Sequence, residues 1–142
     1  MPLGFWEEAG LKKTIISIAL FALSPTIFAD SFNGDVVRAL FTTTIKNNEP
    51  QNEVLILENN KKNIFFFTEL RNMQGRTVIH RWEYNGKVIK EKKIKVSKKR
   101  VRVSSSHSLS PKQTGKWTVV VTNDKGWPLK AAIFKYVTKG KK

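Results

Sequence analysis

The chain has no cysteine and only two histidines among its 142 residues. Without cysteine it forms no disulfide, so packing alone must hold the fold, and a lipoprotein is excluded because its acylated residue is a cysteine. The acidic residues are few and scattered, and with two histidines they show no spacing typical of a metal site. Glycine-rich phosphate loops are missing as well. We therefore expect no metal and no nucleotide cofactor.

Residues that could support catalysis are also scarce. Apart from His80, the only histidine is His107, which follows the serines at 104–106. Adjacent residues on a strand point to opposite faces, so Ser106 and His107 would make a poor catalytic pair. The Gly-x-Ser-x-Gly elbow of many hydrolases is absent. The sequence therefore predicts that the protein is not an enzyme.

The first 29 residues are typical of a secretory signal peptide. Its features are, in order, Lys12 and Lys13, the apolar run 15–23, the helix breaker Pro25, and Ile27 and Ala29 at the −3 and −1 positions of a cleavage site. An uncleaved membrane anchor is the competing interpretation, but a span needs about 20 apolar residues and this run is much shorter. We predict cleavage after Ala29 and a location in a bacterial periplasm or secreted fluid.

Basic residues outnumber acidic ones 26 to 11, which gives a net charge of +15. Residues 1–29 contain two of each sign, so the whole excess belongs to the exported part. We expect a short N-terminal segment at 30–35, one β domain at 36–138 and a basic C-terminal tail at 139–142. Since no later run is long and apolar enough to span a bilayer, we expect no transmembrane segment after signal removal.

Short runs rich in Val, Ile, Thr, Phe and Trp alternate with polar clusters that contain Asn, Gly, Pro and Lys, a pattern typical of strands and turns. Asn85-Gly86 suits a type I′ hairpin turn because both residues tolerate positive φ angles. The segment 123–126 should close a second hairpin. The predicted strands lie near 36–45, 54–58, 63–70, 77–84, 87–96, 100–106, 116–123 and 129–137. We predict an all-β fold, a single antiparallel immunoglobulin-like β-sandwich of about seven or eight strands.

Aromatic residues on alternating positions identify the core. Trp117, Val119 and Val121 share one face of their strand, and Trp117 is the expected anchor. Other aromatic residues are expected to join it: Phe65, Phe67, Trp82, Tyr84 and Phe134. His80 shares a face with Trp82 and Tyr84, so it should be a hydrogen-bonded core residue.

The densest charge lies between Lys87 and Arg102, where nine cations meet one acid. Because Ser97-Lys98-Lys99 interrupts this run, we predict a hairpin of two strands. Alternation directs Ile94, Val96, Val101 and Val103 to the core and leaves four cations on a common outer face: Lys93, Lys95, Arg100 and Arg102. This face is the candidate binding site for an anion or a partner. The alternative is a solvated edge that lysines protect from aggregation.

Four motifs in order resemble a recognisable bacterial pattern: residues 38–45 with Glu49-Pro50, 65–70, 80–86 and 115–119. Together they resemble domain-of-unknown-function family 2914. The resemblance implies no assigned activity; it implies a domain that often follows membrane segments in larger envelope proteins. Where members of that family often place an aromatic residue between two arginines, this chain has Val101.

The polar residues of these motifs have two interpretations. They form either a ligand-binding face or internal ion pairs that join strands, and we favour the structural role for most of them. These residues are Arg38, Glu49, Glu69, His80, Arg81, Glu83 and Arg102.

A charge of +15 attracts anions and raises the rate of encounter with them. Export makes nucleic acid an unlikely partner and favours an anionic envelope polymer, lipid headgroups or an acidic protein. We therefore predict a non-enzymatic exported binding module with a strongly basic surface. The alternative is a structural or assembly subunit of a multiprotein cell-envelope complex, docking through a sheet edge or an exposed aromatic residue such as Trp127. General basicity without a specific ligand is the simplest interpretation.

Overall fold

The computed structural model describes residues 34–140. The predicted signal peptide at 1–29, most of the segment at 30–35 and the last two residues lie outside the described residues. Within residues 34–140 every regular element is a β-strand, which confirms the predicted all-β class. Since this part contains no helix, it contains no helix that could cross a membrane.

Ten strands follow one another along the described chain. They are β1 (Asp35–Thr42), β2 (Ile45–Lys46), β3 (Glu49–Pro50), β4 (Ile56–Glu58), β5 (Asn63–Arg71), β6 (Thr77–Tyr84), β7 (Lys87–Lys95), β8 (Arg100–Ser108), β9 (Gly115–Asn123) and β10 (Pro128–Val137). Seven of them have eight to ten residues, and β2, β3 and β4 have only two or three.

The strands form three sheets. One has the order β1-β5-β8, the second has the order β4-β10-β9-β6-β7, and the third is the short pair β2-β3. All neighbours pair antiparallel except β4 and β10, which run parallel. This parallel pair departs from a purely antiparallel arrangement. Parallel neighbours cannot be joined by a tight hairpin turn, and β5 to β9 lie between β4 and β10 along the chain.

Two predicted turns are confirmed. Asn85 and Gly86 have φ angles of 46° and 85°, as a type I′ turn between β6 and β7 requires. Between β9 and β10, the side-chain Oδ1 of Asn123 accepts hydrogen bonds from the backbone N–H groups of Lys125 and Trp127. Gly126 supplies the positive φ angle of 83° in that second turn.

The predicted hairpin between residues 87 and 106 is wrong. β7 pairs with β6 in the five-stranded sheet, whereas β8 pairs with β5 in the three-stranded sheet. Residues 96–99 cross between the sheets, and their backbone bonds to the loop 72–76, where the Gly75 N–H donates to the Val96 carbonyl. Alternation indicates which residues of one strand share a face, but it carries no information on which strand lies alongside.

Lysine side chains join β7 to β8 in place of a backbone ladder. Lys92 Nζ donates to the Ser104 carbonyl at 2.7 Å, and Lys90 Nζ donates to the Ser106 carbonyl. The Lys90 ammonium also lies 5.2 Å from the centre of the Trp82 ring, within reach of a cation–π attraction. These lysines therefore satisfy carbonyls on the edge of β8 that has no neighbouring strand within residues 34–140.

Aromatic side chains from both large sheets meet in the core. Phe41 of β1 lies 5.8 Å from Trp82 of β6 and 4.7 Å from Phe134 of β10 between ring centres. Trp117 is fully buried, as expected of the anchor, and stacks on Phe134 at 6.2 Å. On β5 it is Phe66 that contacts this cluster, at 5.1 Å from Phe41.

The positions of Phe65 and Phe67 on β5 differ from the prediction. The prediction that Phe65 and Phe67 join the Trp117 core is wrong. Phe67 is buried, but on the opposite face of β5 from Phe66, where the Arg38 guanidinium lies 4.9 Å from its ring centre. Phe65 and Tyr84 are only partly buried. Both faces of β5 are thus covered, one by aromatic residues and the other by an arginine.

Candidate anion-binding site

A group of charged side chains covers the outer face of the three-stranded sheet, with Glu69 at its centre. Glu69 on β5 lies opposite Arg38 on β1 and Arg102 on β8, so the strand register places all three on one face. Its Oε1 accepts hydrogen bonds from Arg100 Nη2 at 2.8 Å and from Arg102 Nε at 3.1 Å. Arg38 and Arg71 are farther away, at 3.5 and 3.4 Å from the carboxylate oxygens.

A second carboxylate, Glu49 on β3, faces the same arginines. Its two oxygens accept from Arg38 Nη1 at 3.0 Å and Nη2 at 2.9 Å, a bidentate pair. Arg102 Nη1 lies 2.9 Å from Glu49 Oε1. Since β2 and β3 form a separate two-stranded sheet, Glu49 ties that hairpin to β1 and β8 through side chains.

We call these six residues the arginine cluster: Arg38, Arg71, Arg100, Arg102, Glu49 and Glu69. Burial acts to raise the pKa of Glu69, but the hydrogen bonds and charges of the arginines outweigh it and lower the pKa to about 2. The hydrogen bonds from Arg38 lower the pKa of Glu49. Both carboxylates are therefore ionised at neutral pH, and four cations against two anions leave the cluster with an excess of two positive charges.

A polar pocket opens beside the cluster. It has a volume of about 270 Å³ and is lined by Asn48, Arg100 and Arg102. Asn48 lies in the turn between β2 and β3 with a φ angle of 61°, which asparagine tolerates better than most residues. The Arg100 side chain is 55% exposed although Glu69 holds it. Two positioned guanidinium groups beside an amide can bind an anionic group.

The four cations of the predicted binding face are divided between two sheets. Arg100 and Arg102 belong to the arginine cluster on the three-stranded sheet, whereas Lys93 and Lys95 are exposed on β7 of the five-stranded sheet. The prediction of one common hairpin face is wrong, because β7 and β8 do not pair. Arg38, Glu49 and Glu69, which the motifs singled out, join the arginines instead.

The other two charged motif residues lie elsewhere. Arg81 and Glu83 are on β6 in the five-stranded sheet, with Arg81 Nε 3.5 Å from Glu83 Oε2. They form an ion pair along one strand, and they contribute no group to the pocket beside Asn48.

His80 is part of a buried polar network between the two large sheets. It is fully buried on β6, with Nδ1 2.9 Å from Ser105 Oγ on β8 and Nε2 3.0 Å from Thr68 Oγ1 on β5. Trp82 Nε1 donates to the same Ser105 oxygen at 3.0 Å, and Thr68 Oγ1 donates to the Val103 carbonyl at 3.1 Å. The prediction that His80 is a hydrogen-bonded core residue is thus confirmed.

The donors in this network settle the tautomer of His80. Thr68 gives its proton to Val103, so it must accept from His80 Nε2–H; Ser105 accepts from Trp82 and donates to the unprotonated Nδ1. Every group then has a partner only while the ring is neutral. Burial, with a smaller contribution from the charge of Lys92, lowers the pKa of His80 to about 3.

The serine and histidine that meet in the structure are not the pair Ser106 and His107 that is adjacent in the sequence. Ser105 meets His80, while His107 packs against Trp117 with ring centres 5.1 Å apart and the neighbouring Ser106 is exposed. Ser105 and His80 are both buried, so a substrate has no access to them. Sequence reasoning missed Thr68 and Ser105, although each is a polar residue that alternates with apolar ones on an inward face.

A second pocket of about 500 Å³ is lined by Thr43, Thr44 and residues 60–63, which include two exposed lysines. Between residues 34 and 140, no three His, Cys, Asp or Glu side chains come together in a way that could hold a metal ion.

The described chain is an all-β domain with a polar, arginine-lined pocket on one sheet. Comparison with protein families adds a match to the family described as Protein of unknown function (DUF2914), over residues 75–136. The matched family is the one that the sequence motifs resemble, so the predicted resemblance is confirmed over these residues. It spans β6 to β10, so the motifs at 38–50 and 65–70 lie before it, as do Glu49 and Glu69. No curated protein matches the chain.

Proposed function

We propose that the protein is a non-enzymatic binding module of the bacterial cell envelope, exported to the periplasm or the extracellular medium. It contacts an anionic partner, which is an envelope polymer, lipid headgroups or an acidic protein. The arginine-lined pocket at Asn48, Arg100 and Arg102 carries this proposal. Lys93 and Lys95, on the other sheet, contribute general basicity.

The same proposal includes an immunoglobulin-like sandwich for the fold. The support for this fold is that there is one three-stranded and one five-stranded sheet, and that aromatic side chains of the two sheets are in contact, such as Phe66 with Trp82 at 6.5 Å. The His80 network joins the same two sheets through hydrogen bonds. A sandwich leaves the outer face of each sheet available for a partner.

Positioning of the arginines distinguishes the pocket from the many exposed lysines. Arg100 and Arg102 are held by Glu69 before any ligand arrives, so binding costs less side-chain entropy than it would at a free lysine. A guanidinium also presents a planar fork of donors to an oxyanion. The excess of two positive charges in the cluster supplies the attraction.

Retention on immobilised heparin and on lipopolysaccharide tests the proposal. The double variant R100Q/R102Q removes two charges from the pocket, and K93Q/K95Q removes two charges from the other sheet. We expect R100Q/R102Q to elute at clearly lower salt than K93Q/K95Q, because only the first pair is positioned for an anion.

Equal elution of the two double variants would contradict a specific site and favour general basicity. Because Arg102 also binds Glu49 and Glu69, its loss could weaken the fold. The single variant R100Q, compared with K93Q, keeps the test decisive, since Arg100 is half exposed. Thermal unfolding of each variant shows whether it is folded at the assay temperature.

Exposed apolar residues favour a second candidate function, a structural or assembly subunit of an envelope complex. Leu55 and Ile56 beside β10, Ile133 on β10 and Trp127 after β9 are 46–68% exposed. Apolar residues at a sheet edge suit a protein partner. Crosslinking in cells would recover only monomer if this function were wrong, and I56S/I133S is the variant that should reduce any crosslinked product.

A further inference from the structure

The carboxylate of Glu49 already occupies part of the arginine surface. It is bound by Arg38 and Arg102, and its side chain is 36% exposed beside the pocket that Arg102 lines. Glu69, in contrast, is almost completely buried behind the arginines. A solvent anion can therefore reach the Glu49 carboxylate and replace it on the arginines, whereas the Glu69 carboxylate is a fixed part of the fold.

The net charge of the arginine cluster indicates which kind of ligand would neutralise it. Four arginines and two glutamates leave two positive charges uncompensated, and Arg100 is the most exposed of the arginines. A carboxylate would neutralise one of them. A phosphate monoester carries about −1.5 to −2 at neutral pH and offers three acceptor oxygens, so it matches both the charge and the number of donors.

Resting on the function proposed above, we propose that Asn48, Arg100 and Arg102 form a site for a phosphate monoester group, and that this group competes with Glu49 for Arg102. The pocket is large enough for this group, since it holds about 270 Å³ and a water molecule in the liquid takes only about 30 Å³. Glu49 then acts as an internal ligand that the phosphate replaces.

Competition with Glu49 has a structural consequence. Glu49 ties the β2-β3 hairpin to β1 and β8, so a phosphate that takes Arg102 leaves Glu49 with Arg38 alone. The hairpin becomes less firmly held. The Gln51 N–H, which bonds to the Thr44 carbonyl at 2.9 Å across the hairpin, is a reporter of this change through amide hydrogen exchange.

Calorimetric titration with glycerol 3-phosphate, and with acetate at equal ionic strength, tests the site directly. We expect wild-type protein to bind the phosphate about tenfold or more tightly than acetate. R100Q should lose most of that binding. E49Q should bind about threefold or more tightly than wild type, because the internal competitor is gone and the local charge rises by one. E91Q, which removes an exposed acid on β7, is the matched control and should change binding less than twofold.

Three outcomes would overturn the phosphate site: equal binding of acetate, an E49Q affinity no higher than that of E91Q, or Gln51 exchange that is unchanged by phosphate. None of them would overturn the general function, which fails only if R100Q/R102Q and K93Q/K95Q elute alike from heparin. Vesicles with phosphatidic acid, compared with free glycerol 3-phosphate, show whether the group is presented on a lipid or on a soluble molecule.

Discussion

The arginine cluster and the His80 network are both polar, and both join strands that are distant in sequence, but they lie on opposite faces of β5. Glu69 and Thr68 are adjacent on that strand, so one points to the arginines and the other to His80. The cluster is charged, partly exposed and positively unbalanced. The network is neutral and fully buried.

This difference separates two uses of polar residues. In the His80 network every donor and acceptor is matched, because an unpaired polar group in the core costs far more than a hydrogen bond returns. At the surface water can satisfy spare donors, so the arginine cluster tolerates an excess of two charges that a core could not hold. The network therefore stabilises the fold, and the cluster keeps the excess positive charge on which the proposed binding function depends.

The sharpest way to break the network is Ser105→Ala. It leaves Trp82 Nε1–H and His80 Nδ1 without partners in the core, and we expect it to lower the free energy of unfolding by about 3 kcal/mol. Urea denaturation at pH 7.5 measures the loss. Ser106→Ala is the matched control, because Ser106 is exposed, and its effect should stay within about 0.5 kcal/mol. Equal losses in the two variants would show that the network does not stabilise the fold.

Acid should weaken the network before it weakens the cluster. His80 has a pKa of about 3 in the folded protein and 6.5 as the ordinary value, so the unfolded chain takes up the proton first. Its contribution is complete above pH 6.5 and is lost as the pH falls towards 3. Between pH 7 and pH 5 we expect a loss of about 2 kcal/mol.

Protonation of Glu69 should also lower the free energy of unfolding, but at lower pH than protonation of His80. Its folded pKa of about 2 lies below the ordinary 4.5, so its contribution is complete above pH 4.5 and is lost as the pH falls towards 2. Urea denaturation of wild type and His80→Gln between pH 7 and pH 5 separates the two groups. A wild-type stability that stays constant over that range would contradict the neutral, buried state of His80.

Glu69→Gln tests the cluster and is expected to have a smaller effect than Ser105→Ala. It removes the carboxylate that Arg100 and Arg102 share, but water can reach both arginines, so we expect a loss of about 1 to 2 kcal/mol. The loss should shrink in 0.5 M salt because exposed charges are screened. Salt should not change the loss of stability caused by Ser105→Ala. An equal salt response of the two variants would contradict the distinction between a charged, screened cluster and a neutral, buried network.

The smallest expected effect belongs to the lysines between the sheets. Lys92→Ala removes one hydrogen bond to the Ser104 carbonyl, at the surface, where water can replace it. We expect a change below about 0.5 kcal/mol in urea denaturation. A larger loss would show that lysine side chains hold β7 against β8 more strongly than an exposed contact can.

Much of the local structure could be predicted from the sequence. β6 has the predicted bounds of 77 and 84, and Asn85-Gly86 forms the expected turn, because both depend on residues that are neighbours in the chain. The burial of His80 followed from its position between Val78 and Trp82 on one face. The arginine cluster is predictable only in part, because the motifs single out its charged residues Arg38, Glu49 and Glu69, whereas charge patterning groups Arg100 and Arg102 with Lys93 and Lys95.

The sequence by itself determined the all-β class, the approximate positions of the long strands, the Asn85-Gly86 turn, and the large positive charge of the domain. Only the tertiary structure decided which strands are neighbours, and so which charges meet. The physical reason is that alternation has a period of two along one strand and says nothing about the strand beside it. Arg102 and Glu69 lie 33 positions apart, and they became partners because β8 pairs with β5 rather than with β7.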